Sequence, residues 1–195
     1  MAIKISGLTT APSTLTGAEL LEIVQSGISY NVTVTRLRGW IYAGIVNTTS
    51  GTSVTLTSGI PSTATQIEIL FNGVSTNTAA QPPIVRLGDA GGIETTGYSG
   101  VVRGPSGETF VTNGLYTLRT NAYIASDLIS GVMRLSRWDS SLHLWLADAI
   151  VNDGAADWSS FSGRKTTSEV MTTIALTTPG GTATFDAGSA RVRYR

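Results

Sequence analysis

Alternation of apolar and polar residues predicts a β-hairpin close to the start of the chain. Its apolar positions are Leu21, Ile23, Ile28, Tyr30, Val32 and Val34. Residues at every second position share one face of a strand, and Ser26-Gly27 between the two runs favours a tight turn. Directly afterwards, Leu37, Trp40 and Ile41 follow the i, i+3, i+4 spacing of a helical turn, with Thr35 placed as its N-cap.

The predicted hairpin and helical turn are too small to bury their own apolar side chains. Residues 1–18, which precede them, are extended and polar, as is typical of an arm. The stretch VNTTSGTS, which follows them, has the composition of a linker. We therefore expect two parts, an N-terminal segment at residues 1–43 and a domain at residues 44–195.

Short alternating runs separated by turn signals predict that residues 44–195 are all-β. The clearest runs are SVTLTSGI, TQIEILFNGV, PPIVRLGD, VMTTIALTT and SARVRYR. Turns are predicted at Asn72-Gly73, at Asn113-Gly114 within a second hairpin, and at 139–141 within a third. A total of roughly eight to ten strands is typical of an antiparallel β-sandwich or jelly roll, so the predicted fold class is mainly β.

The third predicted hairpin, GVMRLSRWDSSLHLWLADAI, carries the candidate contact residues. The leucines predicted to face the core are Leu142, Leu144 and Leu146. His143 and Trp145 then share the opposite face, with Trp138 near the turn. An aromatic side chain on the outer face of a sheet indicates a partner, which is either a second layer of the same domain, another subunit or a stacked sugar ring.

Catalytic and metal sites are not indicated. His143 is the only histidine of the chain, and no G-x-S-x-G nucleophile elbow accompanies it. Glycoside hydrolysis needs two carboxylates that face each other across a sugar, and metal sites usually need several imidazoles or clustered carboxylates. The available aspartates are Asp139, Asp148, Asp153 and Asp157. We predict that the protein is not an enzyme and has no cofactor.

Two further stretches have several interpretations. The glycine-rich segment 88–100 carries Asp89 and Glu94, but it lacks the lysine and spacing of a phosphate loop and the spacing of an EF-hand, which favours a structural loop. Near the C-terminus, Arg191, Arg193 and Arg195 alternate with apolar residues. They could bind an anionic glycan or phosphate, face solvent, pair with acidic neighbours, or protect a sheet edge.

Composition narrows the class of partner. Lys+Arg and Asp+Glu are both 13, so the net charge is zero and no long-range field attracts nucleic acid or an anionic membrane. The chain has no cysteine, which excludes disulfides and cysteine-based zinc sites. We expect no signal peptide and no membrane insertion, because the N-terminus lacks an apolar core and no apolar stretch is long enough to span a bilayer.

The N-terminal segment resembles that of tailed-bacteriophage tail fibre and tail spike proteins. The matching residues are Leu15, Gly17, Glu19, Leu20, Val24, Gln25 and Gly27, and the turn from Thr35 to Ile41 matches as well. Glu22-Ile23 and Thr35-Arg36 depart from the family pattern, which weakens the inferred helix cap. The segment GTSVTLTSGI to GYSG and the closing FDAGSARVRYR look like β-rich modules near the ends of phage fibre proteins.

This resemblance implies a structural protein of the virion, made in the bacterial cytoplasm and carried on the tail. Residues 1–43 would attach to other virion proteins, and three copies would associate, so that the apolar hairpin and Trp40 are buried against sister chains or a baseplate partner. The β-domain would recognise a host-surface polysaccharide. An assembly or decoration protein without receptor binding is the alternative, and a polysaccharide depolymerase is ranked last.

Overall fold

The computed structural model describes residues 20–25, 28–33, 39–154 and 157–195. The chain divides into two units, Met1–Ile41 and Tyr42–Arg195, which are considered separately. The regular structure of the described residues is entirely β, which confirms the predicted fold class. The strands are β1 (Leu20–Gln25), β2 (Ile28–Thr33), β3 (Ile41–Asn47), β4 (Val54–Thr57), β5 (Gln66–Thr76), β6 (Ile84–Asp89), β7 (Gly92–Ile93), β8 (Tyr98–Gly104), β9 (Gly107–Val111), β10 (Leu115–Tyr116), β11 (Ile129–Asp139), β12 (Leu144–Asn152), β13 (Trp158–Thr166), β14 (Thr173–Thr177) and β15 (Phe185–Tyr194).

The first unit contains the predicted hairpin. Strands β1 and β2 pair antiparallel, with Leu21 opposite Val32 and Ile23 opposite Tyr30. This backbone register pairs residues of the predicted apolar set with one another. Val34, Leu37 and most of the predicted helical turn lie outside the described residues. At the end of that turn the prediction was wrong, because Ile41 begins strand β3.

The second unit is an antiparallel β-sandwich of two sheets. A five-stranded sheet has the order β10-β6-β14-β4, with β7 paired to β6, and an eight-stranded sheet has the order β3-β15-β5-β11-β12-β13-β8-β9. One hydrophobic cluster draws on both sheets, with Leu87 and Ile174 from the smaller sheet and Ile69, Met133 and Phe161 from the larger. Each sheet contributes one face to this core, and burying these side chains drives the sheets together.

Two of the predicted hairpin turns are wrong. Asn72-Gly73 does not end a strand, because β5 continues through it and Gly73, at a φ of 63°, lies at an irregularity of the ladder. Asn113-Gly114 does not close a hairpin either, because β9 belongs to the eight-stranded sheet and β10 to the five-stranded sheet. The same local turn chemistry therefore serves a bulge and a crossover between sheets.

Strand β13 was not predicted from the sequence, although it lies inside the larger sheet. Its centre, Ser159 to Gly163, is rich in small residues with low strand propensity. Gly163 and the opposed Gly100 make room for the buried ring of Phe161, since a Cβ at either glycine would lie 2.5 Å from the Phe161 Cζ atom. Among the residues that the structure describes, there is no helix of the length and apolarity that crossing a membrane requires.

Candidate functional site

The third predicted hairpin is present as β11 and β12, joined by a turn at residues 140–143. Asp139 organises this turn, because its Oδ1 accepts hydrogen bonds from the backbone N–H of Ser141 at 2.7 Å and of Leu142 at 3.0 Å. Together with the Ser141 hydroxyl, which is the strongest cause, these donors lower the pKa of the Asp139 carboxyl. Asp139 is therefore a turn-forming residue.

The two faces of β12 are opposite to the prediction. Trp145 is only 4% exposed and belongs to the core, together with Ala147, Ala149 and Val151. The guanidinium of Arg137 lies over the indole, 5.9 Å from its centroid, and Arg137 Nη1 also donates to the carbonyl of Ala64 at 3.0 Å. Trp145 is thus covered within its own domain, and it cannot stack on a sugar at the surface.

The leucines that were predicted to face the core lie on the outer side or in the turn. Leu142 is exposed in the turn, Leu146 is 39% exposed on the outer face, and Leu144 is half-buried. The polar residues of β12 indicate which of its two faces points outward. Asp148 and Asn152 have the same parity as Leu146, whereas the alternate positions of the strand are all apolar.

His143 lies in the turn and not within a strand. Its φ of 51° is a left-handed backbone conformation, which is uncommon for a residue other than glycine. Its carbonyl accepts a hydrogen bond from the backbone N–H of Thr167 at 3.2 Å. The side chain borders a cavity of about 10 Å³, beside Arg137 and Trp145, which has room for about one water molecule.

Trp138 is the one member of the predicted contact set that is widely accessible. It is 70% exposed, and it falls where the β11–β12 register shifts between Arg137 and Asp139. Bulges of this kind redirect side chains away from the regular alternation. The structure therefore separates the predicted trio into a surface tryptophan, a turn histidine and a core tryptophan.

The aspartates considered for glycoside hydrolysis have structural hydrogen bonds or ion pairs. Asp148 pairs with Arg134 across the outer face, at 3.5 Å between Oδ2 and Nη1. Asp153 and Asp157 belong to one loop, in which Asp153 Oδ1 accepts from the Asp157 backbone N–H at 3.2 Å. In the described part of the chain, His, Asp and Glu side chains do not gather in groups of three or more that could hold a metal ion.

The glycine-rich segment 88–100 forms a connection that joins the two sheets. The Asp89 carboxylate accepts hydrogen bonds from the Ser168 hydroxyl at 2.6 Å, the Gly91 backbone at 2.8 Å and the Glu169 backbone at 3.0 Å. These donors, the Ser168 hydroxyl foremost, lower the pKa of Asp89 to about 2. Glu94 pairs with Lys165, which is buried at the end of β13. Both carboxylates therefore bind neighbouring segments, as a structural loop requires.

All three C-terminal arginines contact neighbouring residues, and Arg193 pairs with an acidic one, which was one of the open alternatives. Arg193 Nε donates to Glu68 Oε2 at 2.7 Å, and Glu68 also accepts from Arg134 at 3.2 Å. Arg191 lies over the ring of Tyr42, 4.4 Å from its centroid, and Arg195 Nε donates to the side chain of Gln66 at 2.6 Å. Strand β15 lies between β3 and β5, so the arginines do not protect a sheet edge.

The outer face of the eight-stranded sheet carries a shallow groove along β8 and β13, which we name the β13 groove. It consists of two adjoining depressions of about 340 and 500 Å³, which share Val101 and Ser162. The first is also lined by Ser99, Phe110, Leu146 and Arg164, and the second by Arg103, Asp148, Ile150 and Ser160. Phe110 is 78% and Ile150 62% exposed, which is unusual for large apolar side chains without a partner.

Backbone register explains how the β13 groove forms. Ser162 lies between Val101 of β8 and Asp148 of β12, while Ser160 lies between Arg103 and Ile150. Small serines in the middle strand, flanked by larger side chains on its neighbours, leave a depression along the strand. The apolar pattern of the sequence does not predict this site because it does not predict β13. The alternation of Trp158, Ser160, Ser162 and Arg164 is the signal that could have revealed it.

Comparison with known proteins adds no family to this description. No protein-family model matches the chain, and no curated protein matches it. The resemblance to phage tail proteins therefore stays a prediction from the sequence. What the fold defines is an antiparallel β-sandwich with an open groove on one outer face.

Proposed function

We propose that this protein is a non-catalytic structural component of a phage virion, a short trimeric tail fibre or tail-tip protein that binds a host-surface polysaccharide. Residues 1–43 would attach it to the particle, and the β-sandwich would bind the polymer. The attachment role is supported by the resemblance of residues 3–41 and by the β1–β2 hairpin, because an isolated two-stranded hairpin is marginally stable and benefits from burial in an assembly.

The observation that carries the binding role is the β13 groove. It combines a floor of serine hydroxyls with exposed apolar side chains on both sides, Phe110 on one and Ile150 on the other. Sugars present hydroxyls and apolar C–H faces together, so this combination suits a carbohydrate chain. An open groove also accepts a segment within a long polymer, whereas a closed pocket accepts a chain end or a small molecule.

Binding without cleavage is the mode that the carboxylates favour. Asp148, the aspartate that lines the groove, is paired with Arg134, and Asp139 is bound in a turn. Cleavage of a glycosidic bond needs an acid and a second carboxylate placed across the same sugar. The proposal therefore assigns Asp148 to surface structure and not to acid–base chemistry.

A purely structural role is the second candidate function, and the exposed apolar side chains of the outer face favour it. Aromatic and aliphatic residues such as Phe110 and Ile150 also form the centres of protein interfaces. In that case another virion protein would cover the groove. The protein would then be an assembly or decoration protein without receptor binding.

The test measures binding of the purified full-length chain to envelope polysaccharides from candidate hosts, together with polymer length before and after incubation. We expect saturable binding with unchanged polymer length, and weaker binding by Phe110→Ala. The matched control is Ile124→Ala, because Ile124 is also exposed but lies away from the groove. Shortened polymer would contradict the non-catalytic role, and no binding across a broad panel would favour the assembly role.

A further inference from the structure

Among the described residues, charged side chains have ion-pair partners in one of the two depressions of the β13 groove and not in the other. Arg103 pairs with Glu108 at 2.9 Å, and Asp148 pairs with Arg134 at 3.5 Å, so the second depression is locally neutral. Arg164, in the first depression, has no side-chain hydrogen bond or ion pair within the described ranges, and it is exposed. One end of the groove therefore presents an uncompensated guanidinium.

Hydrogen-bonding groups surround this guanidinium. The register places Arg164 directly opposite Ser99 on β8 and opposite Leu146 on β12, and Ser162 is two residues away on the same face. Neither the Ser99 nor the Ser162 hydroxyl has a partner in the part of the chain that the structure describes. Phe110 completes the depression as an exposed ring beside Val101.

These groups select a ligand that joins an anion to hydroxyls and an apolar face. A guanidinium binds a carboxylate through two parallel hydrogen bonds, serine hydroxyls bind sugar hydroxyls, and an aromatic ring packs on sugar C–H groups. Nucleic acid fits less well, because its repeated phosphates require several cations, whereas the net charge of the chain is zero. A peptide cannot add as a strand along the floor of the groove, because β8 and β13 are interior strands with both edges paired.

We propose that the β13 groove binds an acidic polysaccharide, with Arg164 holding the carboxylate of one sugar residue. Ser99 and Ser162 bind its hydroxyls, and Phe110 packs against its ring. The polymer continues along β13 toward Ser160 and Ile150, a distance of about 13 Å from Arg164 at the usual rise of about 3.3 Å per residue. This inference rests on the proposed polysaccharide-binding function and specifies its ligand.

The test compares uronate-containing capsular polysaccharides with their carboxyl-reduced, neutral forms, using the full-length protein. We expect at least one acidic polymer to bind and carboxyl reduction to weaken binding by about tenfold or more. Arg164→Gln should weaken binding to the acidic form similarly and remove the difference between the two forms. Arg164→Lys should give an intermediate affinity, because an ammonium keeps the charge but loses the paired geometry.

The control variant is Arg195→Gln, which removes the same charge at a residue that does not line the groove and should leave binding unchanged. Equal loss in both arginine variants would mean a general charge effect and would overturn the assignment of Arg164. Equal binding of acidic and reduced polymers would overturn the acidic-sugar inference while polysaccharide binding stands. Binding to no polymer, or a loss of self-association in Phe110→Ala, would overturn both the acidic-sugar inference and the polysaccharide-binding role of the groove.

Discussion

The inner and outer faces of the eight-stranded sheet both carry large apolar side chains, and they differ in what covers those side chains. On β12, the inner face carries Trp145 and Val151, and the outer face carries Leu146 and Ile150. Both faces are therefore apolar at several positions. The inner residues are buried against the second sheet, whereas Ile150 remains 62% exposed.

This difference shows that apolar character alone does not identify a core face. The inner face is distinguished by size matching, since small residues such as Gly163 and Gly100 accommodate the ring of Phe161. The outer face is distinguished by paired charges between its apolar side chains, such as Arg134 with Asp148. Substitutions at Trp145, Gly163 and Asp148 test whether the two faces contribute differently to stability, and one at Asp89 adds a carboxylate outside this sheet.

The largest effect is expected at Trp145. Trp145→Ala should lower the free energy of unfolding by about 3–5 kcal/mol, because it leaves a cavity in the core beneath Arg137. The measurement is chemical denaturation followed by circular dichroism. Leu146→Ala, on the neighbouring outward position, should cost about 0.5 kcal/mol or less. Similar losses in the two variants would mean that the faces are not energetically distinct.

Gly163→Ala should cost about 2 kcal/mol, because a Cβ there would overpack the inner face. That Cβ would lie 2.5 Å from the Phe161 ring and 2.7 Å from the Ser99 carbonyl oxygen. The outward control, Ser162→Ala, should be nearly neutral. Combining Gly163→Ala with Phe161→Leu should cost less than the sum of the two single changes, because the smaller side chain relieves part of the clash. Strict additivity would show that the ring is not the obstacle.

A third prediction concerns the contribution to stability of the Asp89 carboxylate, which is buried between segments. Asp89→Asn should lower the free energy of unfolding at pH 7 by about 1.5 kcal/mol, because it removes a charged acceptor for three donors. The folded-state pKa of about 2 lies below the ordinary 3.8, so this stabilisation is present above pH 3.8 and is lost as pH falls from 3.8 toward 2.

Denaturation of wild type and Asp89→Asn should therefore be compared at several pH values. The difference in stability is expected to narrow as the pH falls through that window. Asp186→Asn is the control, because Asp186 is exposed on β15. A stability difference that does not change with pH would show that the charge on Asp89 has no role.

The smallest effect is expected for the outer-face carboxylate. Asp148→Asn should change the free energy of unfolding by about 0.5 kcal/mol or less, because its ion pair with Arg134 is exposed and screened by salt. In high salt, the difference in free energy of unfolding between wild type and Asp148→Asn should disappear. A cost as large as that of Asp89→Asn would mean that the outer face is more strongly coupled to the fold than its exposure indicates.

How far the sequence predicted this molecule depends on the element. Alternation located the two strands of the β1–β2 hairpin, and it located β5, β6, β14 and β15. Strand β13 was missed because serine and glycine have low strand propensity, and because Lys165, at an inward position, breaks the apolar alternation. Lys165 is tolerated there because it pairs with Glu94 from a distant segment.

The candidate site was predicted less well than the fold. Trp138 is exposed as expected, but Trp145 is in the core and His143 is in a turn. The groove residues Phe110, Ser162 and Arg164 lie on two strands that are not neighbours in the sequence. Their proximity depends on the pairing of β8 with both β9 and β13, which local patterns do not specify.

By itself, the sequence determined the mainly-β class, the short strands and the early hairpin, because strand periodicity and turn propensity are local properties of the chain. On β12 the polar residues Asp148 and Asn152 also mark the outward set of side chains. Only the tertiary structure decided which turn signals became bulges or crossovers, and where the groove lies. Those outcomes depend on which strands pair and on how one sheet packs on the other, which local patterns do not specify.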